Sequence, residues 1–463
     1  MYINNKFFFI LFVIQYIISE SFFIKLGFGS KFNIKEKEIK KNIVINLNNQ
    51  NKNYITNING FYGLIGPDCN INNITSISDL FLSDGIIQGV FFNDDRITYV
   101  KNYIKTHKLL YEQENGKIPD NKLIKFIFDI FSKFKLLPSP LDVSNTALIN
   151  INKEIYSLYE TELPYKLEIN FNTSEIRTVK KININSINHF SAHSKFYKNH
   201  INTIDYDIFG NTINFFLLDD KFKIIKNKKI NTKYIPVIHD FYILDEKIFF
   251  IDSPLSIDYF KILNTKMPIK LETNKKSIIN IIDKQTLNNT KYYLNDSIYL
   301  FHYANIDENI THYNIYASTY DYIDFNELNI SGKYREISIN KETKEVNLNK
   351  NNELEELNLE FPINYNNLTL FRSINNQNIN DGFVICNKLE IIKKIKFPNK
   401  FICGEPSIKK VGEIYYLIFF YYDLDNKSDS KLVIMDMSNY NKTEICINEE
   451  INIGFHSIFI DKN

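Results

Sequence analysis

The sequence predicts an all-β fold, and a propeller of four-stranded blades is the architecture that accommodates its size. From about Ile58 onward, short apolar and aromatic runs recur between clusters of Asn, Asp, Lys and Gly, the texture of strands and hairpins. Helical periodicity is sparse, its best stretch being LIKFIFDIFSKFKLL at 123–137. The chain has 463 residues, a length unusual for a sandwich, whereas radial repetition of small sheets absorbs it while leaving only short edges.

Taken in order, residues 7–18 (FFFILFVIQYII) follow Lys6 and precede Ser19-Glu20-Ser21. An apolar run of this length suits a secretory h-region or a membrane anchor, so residues 1–20 are read as one of these. Residues 21–57 are rich in Lys and Asn (IKEKEIKKNIVINLNNQNKN) and read as a linker or transit-like extension outside the fold. Residues 58–463 then form the propeller domain. Its paired runs include IIQGVFF with ITYVKNYI, TALININ with IYSLYE, NFFLLDD with FKIIKN, FYILD with KIFFID, and IYYLIFFYYD with KLVIMDM. The N-terminus favours secretory entry, a membrane or a plastid-like organelle, with the cytoplasm as the alternative.

Composition narrows the function classes. Hydrophobic residues make up 44% and charged residues 24%, which excludes global disorder. The formal net charge of +1 gives no overall field for nucleic acid, and no basic patch interleaved with aromatics compensates. Cys69, Cys386, Cys403 and Cys446 never form CxxC, so a zinc ribbon is disfavoured and free core thiols, or at most a pair of bridges, are expected. With only 14 glycines, turns that need positive φ fall to Asn.

Four of the eight histidines stand in or beside apolar strand-like runs: His193 in FSAHSK, His239 in IHDFYILD, His302 in LFHYAN and His456 in IGFHSIF. They are separated by 46, 63 and 154 residues. Seven blades over residues 58–463 would take about 58 residues each, so the separations approximate one, one and between two and three blades. Such spacing would aim the imidazoles at a common axis. His107, His189, His200 and His312 read as satisfied core histidines.

The chain resembles the carotenoid cleavage oxygenase family, which includes the retinoid isomerase of the visual cycle, from about residue 58 to the C-terminus. The resemblance rests on motifs standing in family order. They include Asn59-Gly60-Phe61-Tyr62 with Gly66-Pro67-Asp68, Asp79 to Gly85, Tyr99 to Thr106, and Asn145-Thr146-Ala147 leading to Tyr159-Glu160. Ala192-His193-Ser194-Lys195, His239-Asp240-Phe241, Phe301-His302, Glu360-Phe361-Pro362, Gly404-Glu405-Pro406 and Gly454-Phe455-His456 follow. The resemblance implies a seven-bladed β-propeller with a small helical dome over the metal face, and Fe(II) held by His193, His239, His302 and His456. It also implies that Glu160 orients His239, Glu360 orients His302 and Glu405 orients His456, with His193 unassigned and no catalytic group beyond the metal centre.

Neutral imidazoles suit ferrous iron and leave positions open for dioxygen, while the outer N–H of a ligating His needs an acceptor. The chain departs from the family at Leu82-Ser83, Asn102, Ser194, Ile306 and Ser457, and it carries Tyr159 where some stilbene-cleaving relatives have Lys. The implied activity is oxygenative cleavage of a carotenoid or apocarotenoid C=C bond. Dioxygen and a lipophilic polyene would be the partners, with peripheral membrane association and no nucleic acid. An iron-dependent isomerase or hydrolase and a non-catalytic binding propeller are the alternatives.

Overall fold

The computed structural model describes residues 41–45, 57–69, 74, 76–93, 96–118, 128, 131–132, 136–208, 210–258, 261, 267–328 and 330–462. The chain divides into two compact units, Met1–Ile39 with Lys105–Asp142, and Lys40–Ile104 with Val143–Asn463.

The larger unit is a seven-bladed β-propeller built from antiparallel sheets. Blade 1 orders its strands Lys41–Ile45, Arg96–Tyr103, Gly85–Asn93, Gly60–Pro67 and Ser457–Asp461. Blade 2 comprises Ala147–Ile151, Glu154–Leu158, Tyr165–Asn170 and Glu175–Lys181, and blade 3 Lys195–Tyr197, His200–Asp207, Thr212–Leu218 and Ile224–Asn231. Blade 4 comprises Tyr242–Leu244, Lys247–Asp252, Ser277–Asp283 and Asn289–Leu294, and blade 5 Tyr299–Glu308, His312–Tyr320, Lys333–Asn340 and Val346–Asn349. Blade 6 comprises Asn358–Tyr365, Leu368–Ile374, Asn380–Asn387 and Glu390–Lys396. In blade 7, Lys400–Ile402 and Ser407–Val411 both pair with Ile414–Asp423, which is followed by Ser430–Asp436 and Lys442–Cys446.

Each strand pair read from the sequence is an antiparallel hairpin. Middle strands are buried on both faces because adjacent blades cover them: Phe215, Ile248 and Phe250 pack between blades 3 and 4. Outer strands alternate instead, as in IIKNKKIN of blade 3, which faces solvent on one side. Asparagines do turn hairpins with positive φ, among them Asn152, Asn199, Asn211, Asn367 and Asn378. The ring is sealed by chain ends, since Ser457–Asp461 pairs antiparallel with Gly60–Pro67.

Two expectations need correction. Lys41–Ile45, inside the segment read as a linker, is the outer strand of blade 1, paired with Arg96–Tyr103. Its Lys/Asn-rich flanks hide the alternation that lets Ile43 and Ile45 pack on the core. All four cysteines are free, but only Cys386 and Cys403 are buried, while Cys446 is exposed. The segment 1–20 lies outside the described residues, and no helix among those described is long and apolar enough to cross a membrane. Most of 123–137 also lies outside them, with residues 128, 131 and 132 helical. In the smaller unit the helix His107–Asn115 is capped by Thr106, whose hydroxyl accepts from Leu109 N at 3.1 Å.

Candidate metal centre

Each blade supplies one residue to a single site. His193 immediately precedes blade 3, His239 precedes blade 4, His302 lies in the first strand of blade 5, and His456 precedes the closing strand of blade 1. Glu160 follows the second strand of blade 2, Glu360 lies in the first strand of blade 6, and Glu405 sits between the first two strands of blade 7. The separations of 46 and 63 residues are therefore one blade each, and the last is three.

Local structure aims each ring. Ser191 Oγ accepts from His193 N at 3.1 Å, and Ser194 Oγ donates to Ser191 O at 2.8 Å, so hydrogen bonds restrain a turn whose family counterpart carries proline. Asp240, beside His239, accepts from Phe241 N at 2.8 Å and Tyr303 N at 3.1 Å and pairs with Lys195 at 2.9 Å, tying blades 3, 4 and 5 together. Register shifts between Leu300 and Tyr303 show a β-bulge around His302, a device that re-aims a strand side chain. A Cβ on Gly454 would meet Leu64 Cγ at 2.2 Å, so only glycine allows the approach to His456 to lie there.

The four imidazoles converge. Nε2 of His193 and His239 are 3.0 Å apart, Nε2 of His302 and His456 are 3.3 Å apart, and one ligand atom from each of the four lies within 4.8 Å of the others. None of the four is more than 9% exposed. The outer nitrogens face carboxylates: His239 Nδ1 bonds Glu160 Oε1, His302 Nδ1 bonds Glu360 Oε2 at 2.6 Å, and His456 Nδ1 meets Glu405 Oε1 at 3.3 Å. At His239, His302 and His456 a carboxylate is placed to hold the Nδ1 proton, which turns the Nε2 lone pair toward the centre of the cluster. Converging lone pairs repel unless a cation lies between them. Ligands at right angles with bonds of about 2.1 Å stand about 3 Å apart, the spacing observed, so the donor set fits a transition-metal ion.

Electrostatics favour the neutral ring at two of the four positions. The His193 and His302 imidazoles are held well below the usual range, first by burial and then by the neighbouring imidazoles. Burial also disfavours the charged form of His239, but Glu160 more than offsets it and raises this group. Burial pushes Glu360 up to about 7, against hydrogen bonds from Tyr320 and the Phe361 amide. Neutral imidazoles are the form a metal requires.

The outer supports are themselves held. Tyr320 OH donates to Glu360 Oε1, and Phe361 N donates to Glu360 Oε2 at 3.1 Å. Ser457, a departure from the family pattern, donates its N–H to Glu405 Oε2 at 2.9 Å and bonds Ser407 Oγ at 2.7 Å. Among the described residues no acceptor is found at His193 Nδ1.

A cavity of about 240 Å³ opens over His239, His302 and His456, walled by Ile77, Leu80, Phe81, Phe301, Phe361 and Phe455 among others. Among the described residues a short helix, Ile77–Phe81, covers it, and the Phe81 ring centroid is 6.5 Å from that of His239. Asn145 Nδ2 binds the carbonyls of Leu80, Phe81 and Ser83, and Tyr159 OH donates to Phe81 O at 2.9 Å, fixing that helix end.

Sequence reasoning missed Asp240, Tyr320, Phe361 and Arg372, although the first and third stand inside quoted motifs. The four remaining histidines do not join the cluster. They are half-buried or exposed rather than core, with His189 bonded to Asp205 at 3.0 Å and His200 to Lys198 O at 2.8 Å.

Comparison with known proteins agrees with this architecture. Carotenoid 9,10(9′,10′)-cleavage dioxygenase 1 of Arabidopsis thaliana is 23% identical over 272 residues, covering 54% of this chain and 49% of that protein. The counterpart from Crocus sativus is 23% identical over 270 residues, covering 54% and 48%. The chain thus matches about half the length of these curated relatives. Cobalt-substituted Synechocystis ACO superposes with a TM-score of 0.73 at 16% identity, over 92% of this chain and 96% of that one. A variant of Synechocystis apocarotenoid oxygenase gives 0.73 at 16%, over 93% and 98%. The family model of the retinal pigment epithelial membrane protein matches residues 56–373, and the chain belongs to that family.

Proposed function

We propose that this protein is a ferrous-iron oxygenase that cleaves a conjugated C=C bond of a carotenoid or apocarotenoid to carbonyl products. The observation that carries the reading is the convergence of four imidazole nitrogens on one point, with three of those histidines, His239, His302 and His456, lining a mainly apolar cavity. An all-nitrogen neutral set suits iron, and ferrous iron in such a set supplies open positions at which dioxygen is activated.

The chain's own residues do the rest. Glu160, Glu360 and Glu405 hold the Nδ1 protons, fix the ring orientations and raise ligand basicity. Phe81, Phe301 and Phe455 exclude water and offer a polyene flat apolar surface, so that position in the cavity selects the bond presented to the site. A substrate of this kind partitions into lipid. Residues 1–20, read as a signal or anchor, would accordingly bring the protein to a membrane surface on the secretory route or in a plastid-like organelle.

The test is turnover of a polyene panel under ¹⁸O₂ by iron-loaded protein. Labelled aldehyde or ketone products are expected. Unlabelled isomerised or hydrolysed products would overturn the oxygenase reading, and failure to take up iron would leave a binding propeller.

A further inference from the structure

Arg372 lies in the second strand of blade 6, directly opposite Glu360, and is 7% exposed. Its guanidinium stands 4.0 Å over the ring of Phe361, and the Phe361 ring lies 5.1 Å from both His302 and His456. One aromatic ring therefore separates a buried cation from the metal-site imidazoles. Phe361 is placed there by a β-bulge after Glu360 and a φ of 55°, a strained conformation for a bulky residue.

The guanidinium makes no ion pair among the described residues, and its buried Nε has no hydrogen-bond partner. Arginine carries five donors and stays charged, so leaving them unmet inside a protein is costly. The side chain lines the cavity, together with Asn378 and Asn380. Away from the histidines, Glu360, Tyr320 and Thr146, these three are the polar groups of a mainly apolar chamber, and all three come from blade 6. Charge does not explain the gap. A dication at the histidines, three glutamates and one guanidinium sum to zero, so the deficit at Arg372 is one of acceptors rather than anions.

We propose that Arg372 binds a neutral carbonyl oxygen on the substrate, and that the cavity selects oxygen-bearing polyenes over hydrocarbon carotenes. The inference rests on the polyene reading of the cavity and refines it. It also places the oxygenated end of the substrate within a ring's breadth of the histidines, so the double bond presented to the site is one near that end.

The experiment measures equilibrium binding of all-trans-retinal, of the hydrocarbon with the same skeleton (axerophtene) and of all-trans-retinoic acid. It uses the iron-loaded protein without oxygen, so that cleavage plays no part. Quenching of tyrosine emission serves as the signal, since the chain has 30 Tyr and no Trp. Retinal should bind roughly tenfold or more tighter than axerophtene, the scale of a hydrogen bond to a charged donor, and retinoic acid no tighter than retinal. Arg372→Met should bring retinal and axerophtene to parity with iron content unchanged, and Arg372→Lys should restore part of the preference. Equal binding of retinal and axerophtene by the wild-type protein overturns the proposal without recourse to any variant. So does a preference that survives Arg372→Met, and tighter binding of the acid overturns the neutral assignment. A retinal preference in a protein that incorporates no ¹⁸O would sink the oxygenase reading and leave this one standing.

Discussion

His239 and His200 carry the same ring and opposite prospects. His239 is 5% exposed with both nitrogens engaged in the site, whereas His200 bonds only a nearby carbonyl. His239→Ala should abolish iron uptake and polyene turnover, and His200→Ala should leave both within twofold, as read by metal analysis and product formation. Glu405→Gln should weaken iron affinity or activity by roughly 10–100-fold. A different residue tests pH. Asp252 is 1% exposed, and burial pushes its carboxyl up to about 6 against hydrogen bonds from the amides of Lys233 and Tyr234. Between about pH 4 and 6 the folded state then binds the extra proton, so its contribution to stability falls as pH rises and is flat above. Asp252→Asn should remove that fall, and urea midpoints across pH 4–8 will show wild type and variant diverging only through this window. The clustered histidines were legible because a polar ring inside an apolar run needs a reason. Arg372 was not, because in LTLFRSI a charged residue reads as an edge position, and its burial comes from Phe361 and the opposite strand.

Elements carry information that residue patterns do not. Hairpins could be read from alternation and turn residues, yet the extra residues beside His302 and after Glu360 could not, since a bulge is defined by the partner strand. The connection between blades 5 and 6 is likewise a matter of tertiary pairing. Arg335, 1% exposed in the strand Lys333–Asn340, holds Asp321 through two bonds of 2.6 and 2.7 Å and Glu355 through two of 2.7 Å. It thereby pins the short helix Asn352–Glu355, which leads into the strand bearing Glu360. Arg335→Met should cost about 3 kcal/mol, the lower end for breaking a buried pair because Asp321 keeps access to water. Urea denaturation followed by far-UV circular dichroism will measure it.

For the whole molecule, an ion held by the four histidines would join blades 1, 3, 4 and 5, and through the glutamates it would be linked to blades 2, 6 and 7. A ligand held only by the native ring stabilises it by mass action. Stripping the metal with a chelator should therefore lower Tm, and restoring ferrous iron should return it, as calorimetry will show. Blade number was readable only by family likeness, because the segment of the smaller unit, Lys105–Asp142, interrupts the rhythm between blades 1 and 2, and a long insertion costs little closure entropy. The sealing strand, Ser457–Asp461 against Gly60–Pro67, sets an order of events during translation. Blades 2 to 7 can pair as they leave the ribosome, but the first sheet waits for residues made after all of them. His456 arrives in the same late stretch. A stop before His456 thus yields an open arc lacking the fourth imidazole, and the histidine cluster stays incomplete until the circle closes.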